Sequence, residues 1–131
     1  MTKDYYVSYE TAKLLKEKGF ECERDYITAM YNELGEFYFL STSAEYYYDY
    51  EDFDDKDCIA ATLSMAMNWL RDECNIHINV DYIDYLEHGE VWAASAVDKK
   101  TFHEIHIENT EHSYELAAEY AIEYILKNFV P

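Results

Sequence analysis

Two periods of apolar residues alternate along the chain, and each change of period marks an element boundary. After Thr62, which suits a helix cap, Leu63, Ala66, Met67, Leu70 and Cys74 recur at the spacing of one helical face. Asn75 tolerates the left-handed backbone that ends a helix. From there the pattern changes, and Ile76, Ile78, Val80 and Tyr82 alternate with His77, Asn79 and Asp81. A period of two is that of a strand with one buried face. The stretch therefore predicts a helix running directly into a strand.

Similar signals bound the other elements. Ser8 caps a helix over residues 9–18, with Glu10 in its first turn, Ala12 and Leu15 on its buried stripe, and Gly19 at the left-handed exit position that sets Phe20 on Leu15. Residues 26–31 and 37–40 are aromatic or β-preferring, and Asn32-Glu33-Leu34-Gly35-Glu36 between them suits a hairpin loop. Glu87-His88-Gly89-Glu90 reads as a turn into a strand over 91–97, and Asp98-Lys99-Lys100 as a turn into another over 102–108. Ser113 caps a last helix whose face carries Tyr114, Ala118, Ala121, Ile122, Ile125 and Phe129, with Lys127 near its C-terminal dipole. The order α-β-β-α-β-β-β-α predicts an α+β fold, an antiparallel sheet of about five strands with three helices on it.

Composition narrows the class. Half of the residues are hydrophobic, which argues for a folded chain despite its charge. With 131 residues, three glycines and one proline, the last residue, it reads as a single domain over 1–131 with no linker. No apolar run reaches the roughly 20 residues of a membrane-spanning helix, and no apolar leader follows Met1, so a soluble cytoplasmic protein is expected. Cys22, Cys58 and Cys74 are widely spaced and odd in number, which fits buried reduced thiols rather than a disulfide framework or zinc knuckle. The net charge of −18 disfavours direct binding of DNA or RNA and favours basic partners, or serves solubility alone.

Several segments together carry a resemblance: Val7-Ser8-Tyr9-Glu10-Thr11-Ala12-Lys13-Leu14-Leu15-Lys16-Glu17-Lys18-Gly19-Phe20, Ala61-Thr62-Leu63, Trp69-Leu70-Arg71-Asp72-Glu73 and Ile76-His77-Ile78. The chain resembles small uncharacterised phage or prophage proteins of Bacteroides-type bacteria. In these a similar first helix, a central Ala-Pro-Thr helix ending Trp-Leu-Arg-Glu before an Ile-His-Ile strand, and a final Tyr-Glu-Glu-Ala-type helix follow in this order. Ala61 stands where their pattern has Pro, and the Tyr/Asp-rich segment departs from it. The resemblance implies a shared arrangement of elements and brings no activity with it.

Candidate chemistry is sparse. No GxGxxG, P-loop, GxSxG or HExxH pattern is present. Glu104, His106 and Glu108 would share one face of a strand as a set that Zn²⁺ or Mn²⁺ accepts, or equally as a polar solvent face opposite Ile105 and Ile107. His103 would point the other way, His77 beside Asp81 reads as an exposed strand histidine rather than a base, and His88 and His112 as turn and helix-entry residues. Residues 44–57 hold seven acids, four tyrosines and Phe53 against the single base Lys56. That segment lacks the glycine and terminal glutamate of an EF-hand loop. Its residues Tyr46, Tyr47, Tyr48, Asp49, Tyr50, Glu51, Asp52, Phe53, Asp54 and Asp55 suit a protein-binding surface, since tyrosines give rigid contact area and carboxylates steer a basic partner.

The expectation is a non-enzymatic interaction module, with no cofactor or metal, which occupies a basic protein surface as a phage accessory factor would and in its sharper form mimics nucleic acid. A metal protein or enzyme using Glu104, His106 and Glu108 is one alternative. A homo-oligomeric structural component is another.

Overall fold

The computed structural model describes residues 3–40, 50–85 and 89–131. The chain forms two compact units, Met1–Thr62 and Leu63–Pro131. The fold is α+β, with three α-helices and two antiparallel sheets among the described residues.

In the first unit, helix α1 (Tyr9–Glu17) starts where Ser8 Oγ accepts the Thr11 N–H. It ends as the sequence predicts. Gly19 takes a φ of 92°, its N–H donates to Lys16 O and the Phe20 N–H donates to Leu15 O, so Phe20 and Leu15 are both buried at the helix exit. Strands β1 (Ala29–Tyr31) and β2 (Phe37–Phe39) pair in register Met30 with Tyr38, across the expected hairpin. Asn32 builds that turn, its Oδ1 accepting the Leu34 and Glu36 N–H groups at 2.9 Å. β1 is shorter than the sequence suggests, because Arg24–Tyr26 winds into a 3-10 turn before it. A strand the sequence reading lacks, β3 (Cys58–Ile59), occupies the other edge of β1, giving the order β2-β1-β3.

Aromatic rings pack this unit. Tyr6, Tyr31, Phe37 and Phe39 meet edge to face, the closest pair being Phe37 and Phe39 at 4.8 Å between centroids. The buried hydroxyl of Tyr31 donates to Val7 O at 2.7 Å, and the Val7 N–H donates to Ala61 O. Part of the tyrosine content thus serves the interior.

In the second unit, α2 (Leu63–Glu73) leads through Asn75, whose φ is 59°, directly into β4 (Ile76–Tyr85). β5 (Gly89–Asp98) pairs along the whole of β4, from Ile76 opposite Asp98 to Tyr85 opposite Gly89. The other edge of β5 is shared by β6 (Glu104–Ile105) and β7 (Thr110–Glu111). Of the strand expected over 102–108 only Glu104–Ile105 forms, and β7 lies beyond that range. Phe102 is the reason at the near end: its φ of 64° is incompatible with a strand, and its N–H donates to Asp98 O.

Helix α3 (Tyr114–Asn128), capped by Ser113 Oγ on the Leu116 N–H, packs with α2 on β4 and β5. Ile78, Ala94 and Ala96 of the sheet are buried, as are Ala118, Ala121, Ile122 and Ile125 of α3. The small side chains let helix and sheet approach closely. The apolar stripe of α3 is buried through its middle and open at both ends, where Tyr114 and Phe129 are exposed. Where one sheet was expected there are two, because both edges of β1 and both edges of β5 are filled by strands near in sequence.

Candidate functional site

The acid-rich segment enters the described residues at Tyr50, and Tyr46, Tyr47, Tyr48 and Asp49 lie outside them. Tyr50–Asp52 forms one 3-10 turn. A second turn follows, closed by reciprocal bonds: Asp57 Oδ2 accepts the Asp54 N–H at 2.8 Å, Asp54 O accepts the Asp57 N–H at 3.0 Å, and Asp54 Oδ1 accepts the Lys56 N–H at 2.8 Å. Aspartates here do what their short acceptors favour, bonding the main chain locally.

Three contacts fix the path of this ridge. Lys16 of α1 donates to the main-chain carbonyls of Asp55 and Asp57, the latter at 2.9 Å. Arg24 pairs with Glu51, and its guanidinium lies 5.3 Å from the centre of the Tyr50 ring. Phe53 tilts onto Tyr38 at 5.8 Å. Glu51, Asp52, Asp54 and Asp55 stay exposed, Tyr50 is 39% exposed, and Phe53 is half-buried. So the structure brings six of the expected residues onto one short ridge, with Phe53 turned partly inward.

A cleft of about 210 Å³ lies between α1 and this ridge. Its base is apolar: Ala12, Phe20 and Met30 are buried and Ile59 half-buried. Its edge carries Tyr50, Asp54, Asp55 and Asp57, with Lys16 beside them. A second, more open hollow of about 480 Å³ is lined by Asn32, Tyr38, Asp52, Phe53 and Asp57. Lys16, Arg24 and the apolar base escaped the sequence reading. One signal was present for Lys16, which follows Ala12 by four residues and therefore shares its helical face.

Other candidates fare differently. Glu104, His106 and Glu108 do share the exposed face opposite buried Ile105 and Ile107, with His106 Nε2 3.7 Å from Glu108 Oε1. Among the described residues, however, no three His, Cys, Asp or Glu side chains are grouped to hold a metal ion. His77 Nε2 lies 3.1 Å from Asn79 Oδ1, its neighbour along the strand face, and Asp81 is exposed. His112 Nδ1 lies 3.2 Å from Glu90 O, and His88 is outside the described residues. The three cysteines are free thiols, and burial pushes each of them up from the ordinary thiol range, which is the opposite of nucleophilic activation. Among the described residues no helix is long and apolar enough to cross a membrane.

No family model, curated protein or solved structure matches the chain.

Proposed function

We propose that this protein is a small non-enzymatic interaction module whose acidic ridge, residues 50–57, docks onto a basic protein surface. The observation that carries the reading is the way the ridge is held. Lys16 binds main-chain carbonyls, which fixes the path of the loop while Asp52, Asp54 and Asp55 remain at the surface. A loop fixed before it binds loses less entropy on association than a mobile one. Clustered carboxylates speed the approach of a cationic partner and select against anionic ones. A protein that carries such a ridge competes with nucleic acid for the same basic site.

The test compares two variants of equal net charge. One carries Glu51→Gln, Asp52→Asn, Asp54→Asn and Asp55→Asn, and the other carries Glu73→Gln, Asp81→Asn, Glu104→Gln and Glu108→Gln, all exposed positions in the second unit. Titration with an arginine-glycine repeat peptide at low salt should show the ridge variant binding about tenfold more weakly than its control, a difference of roughly 1.4 kcal/mol. Equal weakening in both would reduce the effect to net charge.

A second reading has its own observation. Leu116, Tyr120 and Tyr124 recur every fourth residue on α3; the first two are 53% and 40% exposed, and the tyrosine rings stack at 6.3 Å. An exposed row of this kind suits self-association of the homo-oligomeric sort. Light scattering over a wide concentration range tests it, and a constant monomer mass excludes it.

A further inference from the structure

We infer that the cleft beside α1 receives one arginine side chain of the basic partner, an inference that rests on the reading of the ridge as a docking surface. The cleft is smaller than the roughly 300–1,000 Å³ of small-molecule sites, so it suits a single side chain rather than a cofactor. Its base, made by Phe20, Met30 and Ile59, matches a methylene stem, and its edge, made by Asp54, Asp55 and Asp57, matches a cationic head. That combination describes a lysine or an arginine and no other natural side chain.

Two observations choose between them. Lys16 already satisfies the carbonyl oxygens of Asp55 and Asp57, and Asp54 Oδ1 and Asp57 Oδ2 accept main-chain N–H groups, so the acceptors left at the edge are the Asp55 carboxylate and the second oxygens of Asp54 and Asp57. Paired carboxylate oxygens fit the guanidinium fork, whereas an ammonium acts as a point charge. The chain itself also shows a guanidinium on this ridge, since Arg24 binds Glu51 and lies over the Tyr50 ring. A guanidinium is more weakly hydrated than an ammonium, and so enters a cleft with an apolar base at lower desolvation cost.

The experiment follows the Met30 ε-methyl resonance, assigned through Met30→Leu, during titration with the arginine-glycine peptide and with its lysine-glycine counterpart. The Met30 methyl should shift and saturate with the arginine peptide, which should bind several-fold more tightly than the lysine peptide. Ile59→Trp, which fills the cleft from a half-buried position, should weaken the arginine peptide about tenfold. The methyl readout on the unaltered protein stands even if that variant folds poorly. A Met30 methyl that stays still while the peptide binds, with binding lost in the ridge variant, overturns the cleft and leaves the docking surface intact. Equal affinity for both peptides overturns the choice of arginine. Equal binding by the ridge variant and its charge-matched control overturns both the surface and the cleft.

Discussion

Asn75 joins α2 to β4 with a φ of 59°, a conformation in which a β-branched side chain clashes with the backbone. Asn75→Gly should therefore leave stability within a few tenths of a kcal/mol, and Asn75→Val should lower it by about 1–2 kcal/mol, both read from urea unfolding midpoints. Cys58 makes a prediction of opposite character, about protonation. Burial raises the pKa of its thiol, and the ammonium groups of Lys16 and Lys13 oppose that rise without cancelling it. The folded chain thus holds this proton at pH values where the unfolded chain has released it. Stability from this group is complete below the unfolded thiol pKa and is lost as pH rises toward the folded one. Urea titrations stepped through the alkaline range should show unfolding free energy falling more steeply for the unaltered protein than for Cys58→Ala. Identical slopes would mean that the thiol is not shielded in solution. Both positions were legible in part: Asn75 announced itself by standing where the period changes, and Cys58 reads as a buried thiol, while the strand that holds it is two residues long and too short to signal.

An element is as legible as its signals are local. The exit of α1 was legible residue by residue because a glycine, its neighbours' N–H groups and a following aromatic make a self-contained motif. β3 and β7 were not, and β6 is only a part of the strand expected over 102–108, since strands of two residues exist only through the partner that pairs with them. The hairpin turn lies between these cases. Its Asn-to-Gly spacing was visible, but its contact with α1 was not: Tyr9 Oη donates to Glu33 O at 2.9 Å, and a Cβ at Gly35 would stand 3.0 Å from the Tyr9 ring. With a φ of 83° as well, Gly35→Ala should cost about 1–2 kcal/mol, by backbone strain and by pushing that ring aside. Thermal unfolding of the variant measures the cost. The ridge depends on α1 in the same way. Lys16→Met keeps the aliphatic stem and removes the donors, so the Lys56 and Asp57 amides should exchange faster with deuterium while amides of β4 and β5 keep their rates. Unchanged exchange at Asp57 would show that the aspartate turn holds itself.

For the whole molecule the governing quantity is charge, and here composition was a fair guide: the ridge was legible as an acid-rich run, whereas the cleft beside it was not, because its base is assembled from residues spread between Ala12 and Ile59. A net charge of −18 means that pairing every base with an acid still leaves carboxylates in large excess. Two opposed effects of salt follow. Screening weakens favourable pairs such as Lys13 with Glu10 at 3.2 Å and Arg71 with Asp72 at 2.9 Å, and it also weakens repulsion among the surplus acids. The pairs are exposed, so water and salt screen them and each contributes little. Asp72 is held below the usual carboxylate range by its bond to Arg71, so its contribution is present at neutral pH and fades only as pH falls into the acid range. Repulsion, by contrast, sums over all the surplus carboxylates and should outweigh the few pairs at neutral pH. The melting temperature should therefore rise by several degrees between about 10 mM and 300 mM NaCl, and level off once the Debye length falls below roughly 8 Å. Sucrose, which favours compact states without screening charge, separates this effect from general exclusion because its influence does not saturate in the same way. A melting temperature that falls with NaCl would mean that the pairs outweigh the repulsion, and that the carboxylates are arranged more favourably around the bases than their number suggests.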